Sequence, residues 1–165
     1  MPNWCYNRLT VKAKDKKSLD KFLKAVRGEK SPLTFSSILP RPKEYDFITG
    51  GITIDGKQYD AWREINGKNI PVTEKEKAKL VKKYGAPDWY RWSLTNWGTK
   101  WDIDDAGMER ISDKKVLFSF DTAWSPPTAW CQYAAEKFPG IQLDLKYEED
   151  GMDIHGREIF EEEVA

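Results

Sequence analysis

Half of the chain's eight tryptophans fall in one stretch of fourteen residues, Trp89-Tyr90-Arg91-Trp92-Ser93-Leu94-Thr95-Asn96-Trp97-Gly98-Thr99-Lys100-Trp101-Asp102. Tryptophan is a large, rigid, apolar plate with a single N–H donor. Set among Arg91, Asn96 and Lys100, such plates make a surface that can stack a flat group and hold its charge. Trp124 and Ser125 follow a little later. The economical arrangement is a base on one ring with its phosphate on Lys100. The expected ligand-binding residues are therefore Trp89, Arg91, Trp92, Asn96, Trp97, Lys100, Trp101, Trp124 and Ser125. The competing reading is a core role. Any single ring could be buried, but a domain of this size has limited interior, and every buried indole N–H needs an acceptor. A core role for all five of Trp89, Trp92, Trp97, Trp101 and Trp124 is therefore disfavoured.

The other chemically capable residues are sparse. His155 is the only histidine and stands beside Gly156, as a turn residue would. Cys5 and Cys131 lie among apolar residues with no base beside them, which reads as small buried hydrophobes. Asp102, Asp104 and Asp105 could offer oxygens to a hard cation, but calcium loops need more ligands at regular spacing, and a solvated turn before Gly107 is the simpler reading. Asp46, Glu64 or Asp88 could serve acid–base chemistry only with a partner from another loop. There is no nucleophile elbow, no phosphate-binding glycine loop and no dinucleotide fingerprint. We expect no catalytic residue, no metal site and no cofactor.

At 165 residues the chain has the size of one domain and needs neither disulfide nor metal to fold. Two cysteines without metal-ligand spacing fit a reducing, cytoplasmic setting. No apolar run approaches membrane-spanning length. Formal net charge is zero, so a long nucleic acid is not the expected partner. The charges are nonetheless segregated. Lys12, Lys14, Lys16, Lys17, Lys21, Lys24, Arg27 and Lys30 crowd residues 12–30, while Glu148, Glu149, Asp150, Asp153, Glu158, Glu161, Glu162 and Glu163 crowd the end. Such runs read as a solvated helix face and a solubilising tail, or as a dipole whose basic face attracts phosphates.

The elements that must position these residues follow from periodicity. Residues 6–13 alternate as a strand. Leu19, Phe22, Leu23 and Val26 recur at helical spacing until Gly28. Leu33-Thr34-Phe35-Ser36 reads as a short second strand. From about 43 to 88 the pattern weakens, although Thr73 and Glu76 make a capping box for a helix ending at Gly85. We read this segment as an insertion, too poor in apolar residues for a core of its own. Lys115–Asp121 is the best strand, a helix follows over roughly 127–138, and Ile141–Tyr147 alternates as another strand. A final hairpin is expected around His155-Gly156, ahead of an acidic tail over about 157–165. The order predicts a single α+β domain over 1–165, with a ferredoxin-like antiparallel sheet and two helices on one face.

The blocks Met1-Pro2-Asn3-Trp4-Cys5-Tyr6-Asn7-Arg8-Leu9, Asn96-Trp97-Gly98-Thr99-Lys100-Trp101-Asp102, Thr122-Ala123-Trp124-Ser125-Pro126-Pro127 and Tyr147-Glu148-Glu149-Asp150-Gly151 resemble the Api-like/YubB-type proteins. These are small proteins of phages, plasmids and prophages with a ferredoxin-like domain. The resemblance covers most of the chain outside about 43–88. It implies that fold and a mobile-element origin, hence residence in a host cytoplasm. It supplies no activity, because the family is functionally uncharacterised. Non-structural phage proteins of this size often act on host defence.

In the expected sheet the first and third strands are parallel neighbours, so Trp4 and Trp124 stand at opposite ends of a strand about 17 Å long, and Trp4 lies outside the site. The function expected is non-enzymatic binding of a nucleotide-like ligand, such as a host defence signal, in a tryptophan-rich pocket. The alternatives are a module that binds and inhibits a host protein through its aromatics, a metal-dependent nuclease or phosphodiesterase built on Asp102, Asp104 and Asp105, and binding of single-stranded nucleic acid.

Overall fold

The computed structural model describes residues 1–164, which form two compact units. The first comprises residues 1–40 and 94 onward, and the second Arg41–Ser93.

The first unit is a five-stranded antiparallel sheet with helices on one face. Its strands are β1 (Trp4–Ala13), β5 (Gly107–Ser112), β6 (Lys115–Ala123), β7 (Ile141–Glu149) and β8 (Ile154–Glu161), in the order β5-β6-β1-β7-β8. The helices are α1 (Lys16–Val26) and α4 (Thr128–Lys137). This is a ferredoxin-like arrangement with β8 added at one edge. Strict alternation in β1 explains its central place. Cys5, Asn7, Leu9 and Val11 are buried on the helix side, while Trp4, Tyr6, Arg8 and Lys12 are exposed on the other. The buried polar member is satisfied: the Asn7 amide donates to Thr122 Oγ1 at 2.9 Å and to the Phe120 carbonyl at 3.3 Å. Asp15 caps α1 by accepting the Ser18 N–H at 2.7 Å. The helix layer then buries Leu19, Phe22 and Val26 from α1, and Trp130, Cys131, Ala134 and Ala135 from α4.

The second unit carries a three-stranded antiparallel sheet, β2 (Ile48–Ile54), β3 (Lys57–Ile65) and β4 (Lys68–Pro71), and the helix α2 (Glu74–Tyr84). Thr73 caps α2 by accepting the Glu76 N–H, and Gly85 ends it in the left-handed region, as the capping pattern requires. The short helix α3 (Trp89–Asn96) follows, its first turn held where the Asp88 carboxylate accepts the Arg91 N–H at 2.8 Å. Contrary to expectation, this segment gathers an apolar cluster. Tyr45 is buried, its ring meets those of Tyr84 and Trp92, and its hydroxyl donates to the Ala86 carbonyl at 2.7 Å. Trp92 lies beyond the end of the segment as drawn from sequence, so a main member of the cluster was left out.

Four further expectations are corrected. Residues 33–36 are not a strand. Leu33 and Phe35 are buried, but the Phe35 and Ser36 N–H groups donate to the Asp102 carboxylate instead of to a neighbouring strand. The second strand of the fold is β5, beyond the 41–93 segment. The last hairpin turns at Asp150–Met152, where the buried Glu149 carboxylate accepts the Gly151 and Met152 N–H groups, so His155 lies within β8. Residues 157–161, read as the start of an acidic tail, complete that strand. Finally, β1 and β6 are antiparallel neighbours, not parallel ones, with Trp4 opposite Ala123.

Candidate functional site

That antiparallel register brings Trp4 and Trp124 to the same end of the sheet. The Trp124 N–H donates to the Asn3 carbonyl at 2.9 Å. Trp4 therefore belongs with the candidate site from which the parallel expectation removed it.

Six of the eight tryptophans sort into two environments. Trp97 is 3% exposed, and its indole N–H donates to the Leu39 carbonyl at 3.0 Å. Trp130 is fully buried and donates to the Phe35 carbonyl at 3.2 Å. Phe35 packs between them, with ring centroids 5.7 and 5.3 Å away. Trp92 is buried in the second unit. Trp97 and Trp92 are core residues, which corrects their expected place as ligand walls: an enclosed ring has no free face to offer. By contrast Trp4 is 40% exposed, Trp101 41% and Trp124 42%.

Of the remaining expected residues, Trp89 and Arg91 belong to the second unit. Trp89 is half-buried under the Arg41 guanidinium, and Arg91 is exposed beside Asp88. Asn96 is half-buried in the last turn of α3. Lys100 holds its ammonium 4.5 Å from the centre of the Trp101 ring. Ser125 donates its hydroxyl to the Gly98 carbonyl at 2.6 Å, and Thr99 donates to the Ala123 carbonyl at 2.8 Å. Ser125 is thus a fastener of the loop. Gly98 has φ +89°, and a Cβ there would stand 3.0 Å from the Pro126 carbonyl oxygen and 3.1 Å from the Thr128 and Ala129 nitrogens. Only glycine fits that approach.

Asp102 has a fastening role too. Its carboxylate accepts the N–H groups of Phe35 at 2.6 Å, Ser36 at 3.1 Å and Ile103 at 2.7 Å, and also the Ser36 hydroxyl. Asp105 accepts the Ala106 N–H at 2.9 Å. Asp102 and Asp105 thus each accept the N–H of the residue that follows, within a stretch of bends leading into β5. Both cysteines are buried; burial pushes the Cys5 thiol up to about 11 and the Cys131 thiol higher still, which keeps them protonated and unreactive.

What these fasteners build is a groove of about 1100 Å³ on the sheet face that the helices leave open. Its apolar walls are Trp4, Tyr6 and Trp101, and its charged residues include Arg8, Asp104, Asp105 and Asp121. The Trp4 and Trp101 rings touch each other, with centroids 6.4 Å apart and planes 46° apart. The open faces of this pair are therefore its outer ones, with no gap for a flat group between the rings. Trp124, the residue after the groove-lining Ala123, has φ +70°, while the Ser125 N–H donates to the Ala123 carbonyl at 2.9 Å. A positive-φ γ-turn is a strained conformation for so bulky a residue, and here it turns the indole outward. Sequence reasoning missed Tyr6 and Arg8. Their signal was present in the alternation of β1, which assigns them to the face opposite Leu9 and Val11.

Residues 96–165 match the family model described as a ferredoxin-like domain in Api92-like protein. The Api-like resemblance drawn from the tryptophan blocks is met by this match. Among solved structures, the chain is similar to the crystal structure of the protein api92 from Yersinia pseudotuberculosis, with a TM-score of 0.58 and 10% sequence identity over 98% of this chain and 95% of that one. At that identity the likeness shows the shared fold alone. No curated protein matches the chain. No helix among the described residues is long and apolar enough to cross a membrane. In this chain Gly98, Thr99, Asp102 and Ser125 hold the loop in place, and Trp4, Tyr6, Trp101 and Trp124 stand exposed at that end of the sheet.

Proposed function

We propose that this chain is a non-enzymatic binding protein that holds a flat, nucleotide-like ligand on the open face of its sheet. The observation that carries the reading is the groove itself, in which Trp4, Tyr6 and Trp101 offer exposed ring faces beside Arg8 and the carboxylates of Asp104, Asp105 and Asp121. Stacking on an aromatic face is worth about 1–3 kcal/mol per base. Carboxylates accept the N–H donors on the edge of such a base. A catalytic use has less support, because Asp102, on which a metal-dependent reaction would depend, spends its oxygens on backbone N–H groups. For a protein of a phage or plasmid, sequestering a signalling nucleotide of the host defence is the use such a groove would serve.

One observation favours a second reading. The groove's charges are mostly negative, so an arginine or lysine side chain of a partner protein also suits it, through cation–π contact and ion pairing. The test is a panel of nucleosides, nucleotides and arginine-containing peptides, followed by tryptophan fluorescence and calorimetry, with recovery of the ligand after denaturation. Intact nucleoside or nucleotide, bound by wild type and lost in Trp101→Ala and Trp4→Ala, supports the proposal. Recovery of altered ligand overturns its non-enzymatic part. Peptide binding without nucleoside binding replaces it with the second reading.

A further inference from the structure

The open face carries a second depression of about 390 Å³, lined in part by Arg8, Thr10, Lys12, Lys115 and Lys146. Its chemistry is the reverse of the groove's. The register of the sheet places Arg8 directly opposite Lys146, and Lys146 directly opposite Arg157, so three cations lie in one row across β1, β7 and β8. Two rows along the strands, Lys12 stands opposite Lys115. Like charges directly opposite one another destabilise a sheet. Asp144 is the one carboxylate among the residues lining the depression, and Arg157 engages it through two hydrogen bonds, 2.8 and 2.7 Å. Arg8, Lys12, Lys115 and Lys146 form no ion pair among the described residues. The two depressions meet at Arg8, which lines both. Along β1, Arg8 is two residues from Tyr6 on the same face, a separation of about 7 Å.

We infer that Arg8, Lys12, Lys115 and Lys146 form an anion site for a phosphate-class group, contiguous with the aromatic groove. The like-charged pairs oppose each other in the free protein, and an anion seated between them turns that repulsion into attraction. Guanidinium and ammonium donors lining one depression with the Thr10 hydroxyl are the kind of set that phosphate oxygens accept from. The inference deepens the proposed function and rests on it for one point, that the ring and the phosphate belong to the same ligand. The ring then lies on Tyr6 and Trp101, and the phosphate crosses Arg8 onto the basic rows. Lys100, placed over Trp101, is not the phosphate contact in this arrangement.

The test uses the full chain and two separate probes, pyrophosphate and a nucleoside without phosphate. Pyrophosphate should raise the melting temperature of wild type by several degrees at low salt, and the gain should vanish in Lys146→Gln and in Arg8→Gln. The free Lys146→Gln protein should melt no lower than wild type, because the substitution removes a like-charge neighbour. Lys17→Gln on the exposed side of α1 should leave the pyrophosphate effect unchanged. A pyrophosphate effect that survives Lys146→Gln, or falls equally in Lys17→Gln, overturns the anion site. No pyrophosphate effect in wild type overturns it as well, even if the nucleoside binds. Pyrophosphate binding without nucleoside binding leaves the anion site standing and removes the proposed function. A nucleoside 5′-phosphate that binds wild type at least tenfold more tightly than its nucleoside, with that margin lost in Lys146→Gln, places both groups on one ligand; an equal affinity refutes that link.

Discussion

Trp97 and Trp101 lie four residues apart in the same tryptophan-rich block, and the sheet separates their roles. Trp97 joins Phe35 and Trp130 on the helix-covered side, with its N–H satisfied by Leu39. Trp101 emerges on the open side against Trp4. The covered face is built of apolar side chains whose polar atoms are all paired, among them the Asn7 amide and the indoles of Trp97 and Trp130. The open face is built of aromatic and charged side chains in rows, acidic at one end and basic at the other. The difference teaches that a sequence block can be a scaffold and a binding surface at once, divided residue by residue.

The largest effect should come from exchanging the two environments' demands. Trp97→Ala empties a packed site and should cost about 3–5 kcal/mol in urea unfolding. Trp101→Ala should cost less than about 1 kcal/mol, since an exposed ring is lost, while abolishing ligand binding. Comparable losses of stability in the two variants would break the comparison. Next, Asp102→Ala leaves the Phe35, Ser36 and Ile103 N–H groups without their acceptor and should cost about 1–3 kcal/mol. Asp104→Ala, two residues on and exposed, should stay within about 0.5 kcal/mol. Gly98→Ala meets both a positive φ and a backbone oxygen at 3.0 Å, and a loss of about 1 kcal/mol or more is expected, read as a lowered denaturation midpoint with an unchanged slope.

The smallest effect concerns the open face alone. The Arg157 guanidinium holds the Asp144 carboxyl below its ordinary range. A carboxylate depressed in the folded state contributes stability above its unfolded value of about 3.9, and that contribution is lost as pH falls through the lower folded value. Wild type should therefore lose more stability than Asp144→Asn between about pH 5 and pH 2. Parallel acid unfolding profiles of the two proteins would show that the ion pair contributes nothing.

The sequence made the helix-covered half of the fold legible, because burial on one side leaves a period. Leu9 and Val11 in β1, Leu19, Phe22 and Val26 in α1, and Val116 and Phe118 in β6 each mark a face. Strand β5 left no such trace, since all six of its residues are exposed. Leu33 and Phe35 alternate as a strand would, but the acceptor that draws their backbone into a loop is Asp102, 67 residues beyond Phe35. The site was legible in composition and illegible in assignment. Nothing local distinguishes Trp97 from Trp101, whose fates depend on the turn at Gly98 and on the loop's fastening to Ala123. Tyr6 and Arg8 were overlooked because the strand was read for its buried side. The direction of β6 beside β1, which decides where Trp4 lies, is a property of topology and of no single residue.

The place of β1 at the middle of the sheet has a consequence for how the molecule comes into being. This strand leaves the ribosome well ahead of both its neighbours in the sheet, β6 and β7. Until residues 115–149 have been synthesised, Leu9 and Val11 have no sheet to join, and Trp4 and Tyr6 lie bare on the other side. Contacts so distant in sequence close slowly, and an unpaired apolar strand is exposed to aggregation during the wait. Assembly of the sheet waits on strands made long after the one at its centre.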